Sequence, residues 1–166
     1  NTFTQTGGTA TITTLGLGGN AADSASTSPI AAKLDLTSGV FTATTFNSLS
    51  AGGANTSIIK IGGTADVTLG AFPTARGALS TATLTFDGGT LKPAAASAVY
   101  MGGLTNAFIK AGGATFDTTN GSITITQGLL TDLSSPNGGL TKAGTNTLTL
   151  AGINTYTGNT LVSGGT

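Results

Sequence analysis

Paired glycines recur along this chain at a nearly constant interval, and that spacing limits the fold more than any other feature. The pairs starting at 62, 88, 112, 138 and 164 follow one another at steps of 26, 24, 26 and 26 residues. A fixed period between roughly 20 and 50 residues marks a chain built from stacked copies of one supersecondary unit. Other pairs, at Gly7, Gly18, Gly52 and Gly102, are less regular, with a longer insertion between Gly19 and Gly52. Glycine reaches positive φ without steric cost, so the pairs are expected at corners.

Between the glycines lie short runs in which polar and apolar residues alternate: Thr9 to Thr13, Thr81 to Phe86, Ser122 to Thr126 and Thr147 to Leu150. Period two describes a strand with one face inward and one in water. Leu34, Leu36, Ile59, Ile61, Val67, Leu69, Ile123, Ile125, Leu148 and Leu150 are the expected inward stacks. Alternation alone does not separate parallel from antiparallel pairing. A β-sandwich would bring more aromatic residues than the 5% present, whereas a period near 25 suits one coil of three short strands and three corners. The expected fold is therefore all-β: a right-handed parallel β-helix (solenoid) with short coils and Gly-rich corners, a single segment over residues 1–166. Six or seven coils at about 4.8 Å would span only ~30 Å. Pro93 to Tyr100, with its Ala run, is the one stretch expected to form a helical turn or two.

Composition supports order and narrows function. Charged residues are 7% of the chain, against about 25% in average usage, yet 38% is hydrophobic and Thr and Ile pack well on a pleated surface. The six basic residues, Lys33, Lys60, Arg76, Lys92, Lys110 and Lys142, are scattered singly, so no patch exists to neutralise phosphates and nucleic acid is not an expected partner. No run approaches the ~18 apolar residues of a membrane helix, so no membrane insertion is expected of this segment. There are no cysteines, which excludes disulfides and suits a protein exported unfolded. The start at Asn1 shows no signal peptide and reads as a mature or excerpted segment.

Chemistry-bearing residues are few. His and Glu are absent, so hydrolysis would fall to Asp23, Asp35, Asp66, Asp87, Asp117 and Asp132. Residues far apart in sequence can stack on neighbouring coils. Asp87 and Asp117, each following a Phe, are the best candidates for a pair. The plainer reading has each Asp bonding turn amides at a strand end. The β-helical polysaccharide lyases share the expected fold and hold Ca²⁺ in an Asp cluster with basic residues nearby, but the sole Arg76 has no acidic cluster beside it. The chain is read as non-enzymatic, with no catalytic, cofactor or metal residues and no cofactor. Thr-x-Thr units at 9/11/13, 81/83/85, 124/126, 147/149 and 155/157 could form rows matching ice or a glycan, although their uneven spacing favours plain solvent-facing strands. Tyr100 and Tyr156 could stack on sugars. The sequons at Asn55 and Asn120 are read as chance, and no Gly-Lys-Ser/Thr phosphate loop exists.

Gly139-Leu140-Thr141-Lys142-Ala143-Gly144, then Thr147-Leu148-Thr149-Leu150, then Asn154-Thr155-Tyr156-Thr157-Gly158-Asn159-Thr160, resembles the autotransporter-associated β-strand repeat over residues 139–166. Asn146 departs from it, standing where the family more often has Gly. Leu84 to Leu91, Gly112 to Asp117 and Thr2 to Thr9 resemble segments of the large bacterial surface proteins that carry this repeat. The resemblance implies a β-helical passenger segment, secreted or displayed on the bacterial cell surface, without implying an activity. Neither end shows a cap, and exposed solenoid ends need one. The expected function is structural: a rod or fibre built by tandem repetition or by head-to-tail stacking of copies, so that the partner is the chain itself. An adhesin module binding surface glycans is the alternative.

Overall fold

A computed structural model describes residues 1–18, 30–50 and 54–166. Twelve strands follow in order: β1 (Thr2–Leu17), β2 (Ala31–Leu49), β3 (Thr56–Leu69), β4 (Thr81–Pro93), β5 (Ser97–Met101), β6 (Asn106–Ile109), β7 (Ala114–Asp117), β8 (Ile123–Ile125), β9 (Leu129–Thr131), β10 (Leu140–Ala143), β11 (Leu148–Leu150) and β12 (Thr160–Val162). Every ladder is parallel. Beyond β4 the long strands divide: β6 and β9 continue the first half of β4, while β7, β10 and β12 continue the second half. A third face is built by β5, β8 and β11. The result is the expected parallel β-solenoid.

Register turns the alternating pattern into axial columns of like side chains. On the first face, Phe3, Leu34, Ile59, Leu84, Ala107 and Leu129 stack one above another. That column makes five turns, at steps of 31, 25, 25, 23 and 22 residues. Those five turns join six rungs, and the longer first step absorbs the insertion before β2. On the second face, Ala10, Phe41, Val67, Leu91, Phe116, Lys142 and Val162 form a seven-rung column. Ile59, Ile61, Val67, Leu69, Leu84, Phe86 and Leu91 are wholly buried. Each such side chain removed from water contributes about 1.5–3 kcal/mol. An aromatic stack continues past the second face: Phe46, near the end of β2, meets Phe72 at 5.2 Å between ring centres, and Phe72 meets Tyr100 of β5 at 5.8 Å.

The corner between the first two faces is a column of glycines. Gly88, at φ 91°, lies so close to the coil below that a Cβ would stand 2.8 Å from the Gly63 carbonyl oxygen. Gly112 likewise abuts the backbone of Asp87 and Gly88, and Gly158 abuts Gly138 and Gly139. The sequence period identifies four members of this series correctly and misplaces the fifth. Gly164 and Gly165 lie over Gly144 to Asn146, at the following corner. The last coil is short, with 20 residues from Lys142 to Val162 against 26 from Phe116 to Lys142. Gly158 therefore takes the corner position, and the final 26-residue step is coincidental.

Pro93 to Tyr100 forms no helix. Its amides are taken by neighbouring coils: Ala94 N–H bonds Leu69 O at 2.7 Å and Ser97 N–H bonds Ser122 O at 3.0 Å. The segment is a corner leading into β5.

Candidate functional site

The acidic residues are separated, and each described one with an ionic partner meets a lysine. Asp35 pairs with Lys33 at 2.9 Å, and Asp132 faces Lys110 at 3.7 Å. Asp66 and Asp117 flank Lys92, at 2.8 and 3.9 Å. The expected pairing of Asp87 with Asp117 is not formed. Asp87 lies opposite Gly62 at the glycine corner, whereas Asp117 lies on the strand beyond that corner, beside Lys92. Among the described residues, no three acidic side chains gather where they could hold a metal ion. Asp23 lies outside the described residues. The plainer expectation of turn-bonding holds at two positions: Asp117 Oδ1 accepts from Thr119 N–H and Oγ1, and Asp132 Oδ1 accepts from Ser134 N–H and Oγ. Burial pushes the Asp117 carboxyl up, but the Thr119 bonds with the charges of Lys92 and Lys142 carry it below the usual carboxylate range. The Ser134 hydroxyl leads the causes that lower Asp132.

The most distinctive polar site is one the sequence reading passed over as a scattered cation. Lys142 occupies an inward position between Phe116 and Val162, with only 2% of its surface exposed. Its ammonium donates to the carbonyls of Ala143 at 2.8 Å, Gly144 at 2.9 Å and Gly164 at 2.8 Å. A buried charge needs such satisfaction, since an isolated one is costly. Desolvation lowers the Lys142 pKa, and the Asp117 carboxylate opposes that shift. The signal was present in the alternation, because Lys142 lies two residues after the inward Leu140. Asn146, the departure from the family pattern, is also used: its Nδ2 donates to Thr118 O at 2.7 Å and Thr119 O at 3.1 Å on the coil below.

Remaining candidates resolve into structural roles. The Thr-x-Thr units fall on different faces: 9/11 on the second, 83/85 on the first, 124 and 149 paired on the third. They make no single flat array. Two short threonine columns form on the second face: Thr11, Thr42 and Thr68, which includes one unit member, and Thr90, Thr115 and Thr141, which lies outside the units. Arg76 Nη1 donates to Gly103 O at 2.9 Å and Thr105 Oγ1 at 2.8 Å, pinning a corner. Tyr100 is wholly buried, its hydroxyl bonding Leu69 O and Lys92 O, so it cannot stack on a sugar. Asn55 is buried too, with its amide bonded to Gly18 O and Ile30 N–H. Its sequon is therefore closed to a glycan in the folded chain. An open trough of about 700 Å³ lies outside the first face, lined by Phe108, Leu130, Leu133, Thr155 and Thr157 among others, with Leu133 90% exposed.

Residues 140–166 match the family model described as the passenger-associated-transport-repeat. The matched segment contains Lys142, two of the three carbonyl groups on coil 142–144 and the Gly164 that completes the set. No curated protein and no solved structure matches the chain.

Proposed function

We propose that this chain is a structural module of a surface-exposed or secreted bacterial passenger, and that it builds a rod by end-to-end stacking of copies. Supporting the coarser part are the parallel solenoid fold and the passenger repeat at 140–166. The observation that carries the finer part is the open first rung. β1 runs for 16 residues and pairs with β2 alone among the described strands. Phe3 and Ile12, both inward in register, are 46% and 37% exposed there. A long unpaired strand with an apolar face is a template for further pairing, and a heterologous contact that does not close gives a filament.

Negative-stain electron microscopy with light scattering on the 1–166 chain tests this reading. Unbranched filaments with a subunit repeat near ~34 Å, about seven strand spacings, are the expected result. Monodisperse particles of 16.0 kDa at all concentrations overturn stacking of separate copies. A second reading, an adhesin module for surface glycans, has the exposed Phe108–Leu133 trough in its favour, and saturable glycan binding lost on Leu133→Asp would establish it.

A further inference from the structure

The end-to-end reading leaves open how two copies meet, and the two terminal rungs carry matching features. In a parallel ladder, successive residues bond alternately to the strand on one side and the strand on the other. Ser163 N–H bonds Lys142 O at 2.8 Å, so Ser163 bonds back to β10 and the N–H and C=O of Val162 face the open end. Ala10 lies in the same column as Lys142 and Val162. By the same alternation it bonds toward β2, leaving the backbone groups of Thr9 and Thr11 at the free edge of β1. The free groups of the two ends thus fall in the same phase.

Side-chain sizes match in that phase as well. Val162 is 57% exposed at one end and would meet the small Ala10. Ile12, 37% exposed at the other, would meet Gly164, which has no side chain. The same large-on-small exchange already operates inside the protein, where Ala10 lies on Phe41 and Ile12 on Ala43. At the corner the same count carries Gly158 to Thr6, one residue before the Gly7–Gly8 pair. An arbitrary extended peptide would lack a glycine at the second inward position, opposite Ile12. The chain's own last rung has one there, Gly164.

We propose that β1 of one copy docks on β12 of a second copy with Ala10 over Val162 and Thr9 over Leu161. This joint rests on the end-to-end reading and can fail without it. The chain has no native cysteine, so engineered pairs report register directly. Thr9→Cys with Leu161→Cys places two exposed positions about 4.8 Å apart between Cα atoms, within the ~4.4–6.8 Å a disulfide spans. Thr11→Cys with Ser163→Cys tests the same register independently. Thr11→Cys with Leu161→Cys, displaced by two residues and about 8 Å apart, is out of reach.

Each variant is assembled, oxidised and run on a non-reducing denaturing gel, with circular dichroism confirming the fold. A ladder of multimers from either in-register pair, with monomer from the displaced pair, is the expected result. Filaments that yield no ladder from the folded in-register pairs, or a ladder from the displaced pair, overturn this joint while leaving end-to-end stacking intact. Absence of assembly in the unmodified chain overturns both.

Discussion

Lys142 Nζ donates to the carbonyl oxygen of Gly164 at 2.8 Å, across one full coil of chain. The same ammonium holds Ala143 and Gly144, so a single side chain closes the corner of its own coil and fastens the next. Lys142→Met keeps the length and apolar stem but removes all three donors. Buried acceptors left without a partner cost about 1–3 kcal/mol, and a loss of about 2 kcal/mol in denaturant stability is expected. Exchange of the Ser163 amide, bonded to Lys142 O, should quicken more than that of Ile61 in the central coils. Equal change at both positions would show that Lys142 does not act locally on the last rung.

The glycine column predicts a contrast between two substitutions of the same kind. Gly88→Ala puts a Cβ at φ 91° and 2.8 Å from Gly63 O. Left-handed backbone and overpacking together cost about 2–4 kcal/mol. Nothing lies within 4 Å of a Cβ at Gly7, and its φ is not positive, so Gly7→Ala should stay within about 0.5 kcal/mol of the parent. Thermal unfolding of the two variants separates a corner built on close approach from one that merely tolerates glycine.

The columns were legible because alternation survives stacking: Leu34, Leu36 and Leu84 each lie between polar neighbours, and each is buried. Parallel pairing left no such mark in the strands and was readable only through the period. Coil length was the weak point. A period found between glycine pairs assumes equal coils, but the coil after Lys142 is shortened and shifts Gly164 to another corner. The pairing of Asp87 with Asp117 failed for a related reason. Both follow a Phe, yet Phe86 lies on the first face beside Ile109 and Phe116 on the second beside Leu91. Similar local sequence does not fix the same place in a coil. Lys142 was hidden because a lysine is ordinarily read as solvent-facing, even where period two points it inward.

Asp117 gives the fold a defined acid response. Its carboxyl titrates below the ordinary 3.8 in the folded chain, so the folded state binds fewer protons than the unfolded one in that range. Its contribution is present above about 3.8 and is lost as pH falls through the folded value. Asp117→Asn should lower stability by roughly 0.5–1 kcal/mol at neutral pH, through weakened Thr119 bonds and loss of the Lys92 contact. The difference from the parent should shrink below pH 3. Melting curves at pH 7, 4 and 2.5 measure it, and a difference constant across that range would remove Asp117 from the acid response.

Tyr100 sets the alkaline limit by the opposite sign. Burial raises its phenol above the ordinary 10.0, and its hydroxyl is engaged by Leu69 O and Lys92 O. The unfolded chain therefore releases this proton first, and stability present below pH 10 falls as pH rises beyond it. In a Tyr156→Phe variant, Tyr100 is the sole tyrosine, so phenolate absorbance reports it alone. That absorbance should rise together with loss of the β circular dichroism signal, because the group ionises only when its coil opens. Tyr100→Phe should cost about 1 kcal/mol at neutral pH and should flatten the decline above pH 10. Phenolate appearing in a chain that keeps its full β signal would mean that the Phe46–Phe72–Tyr100 stack admits water.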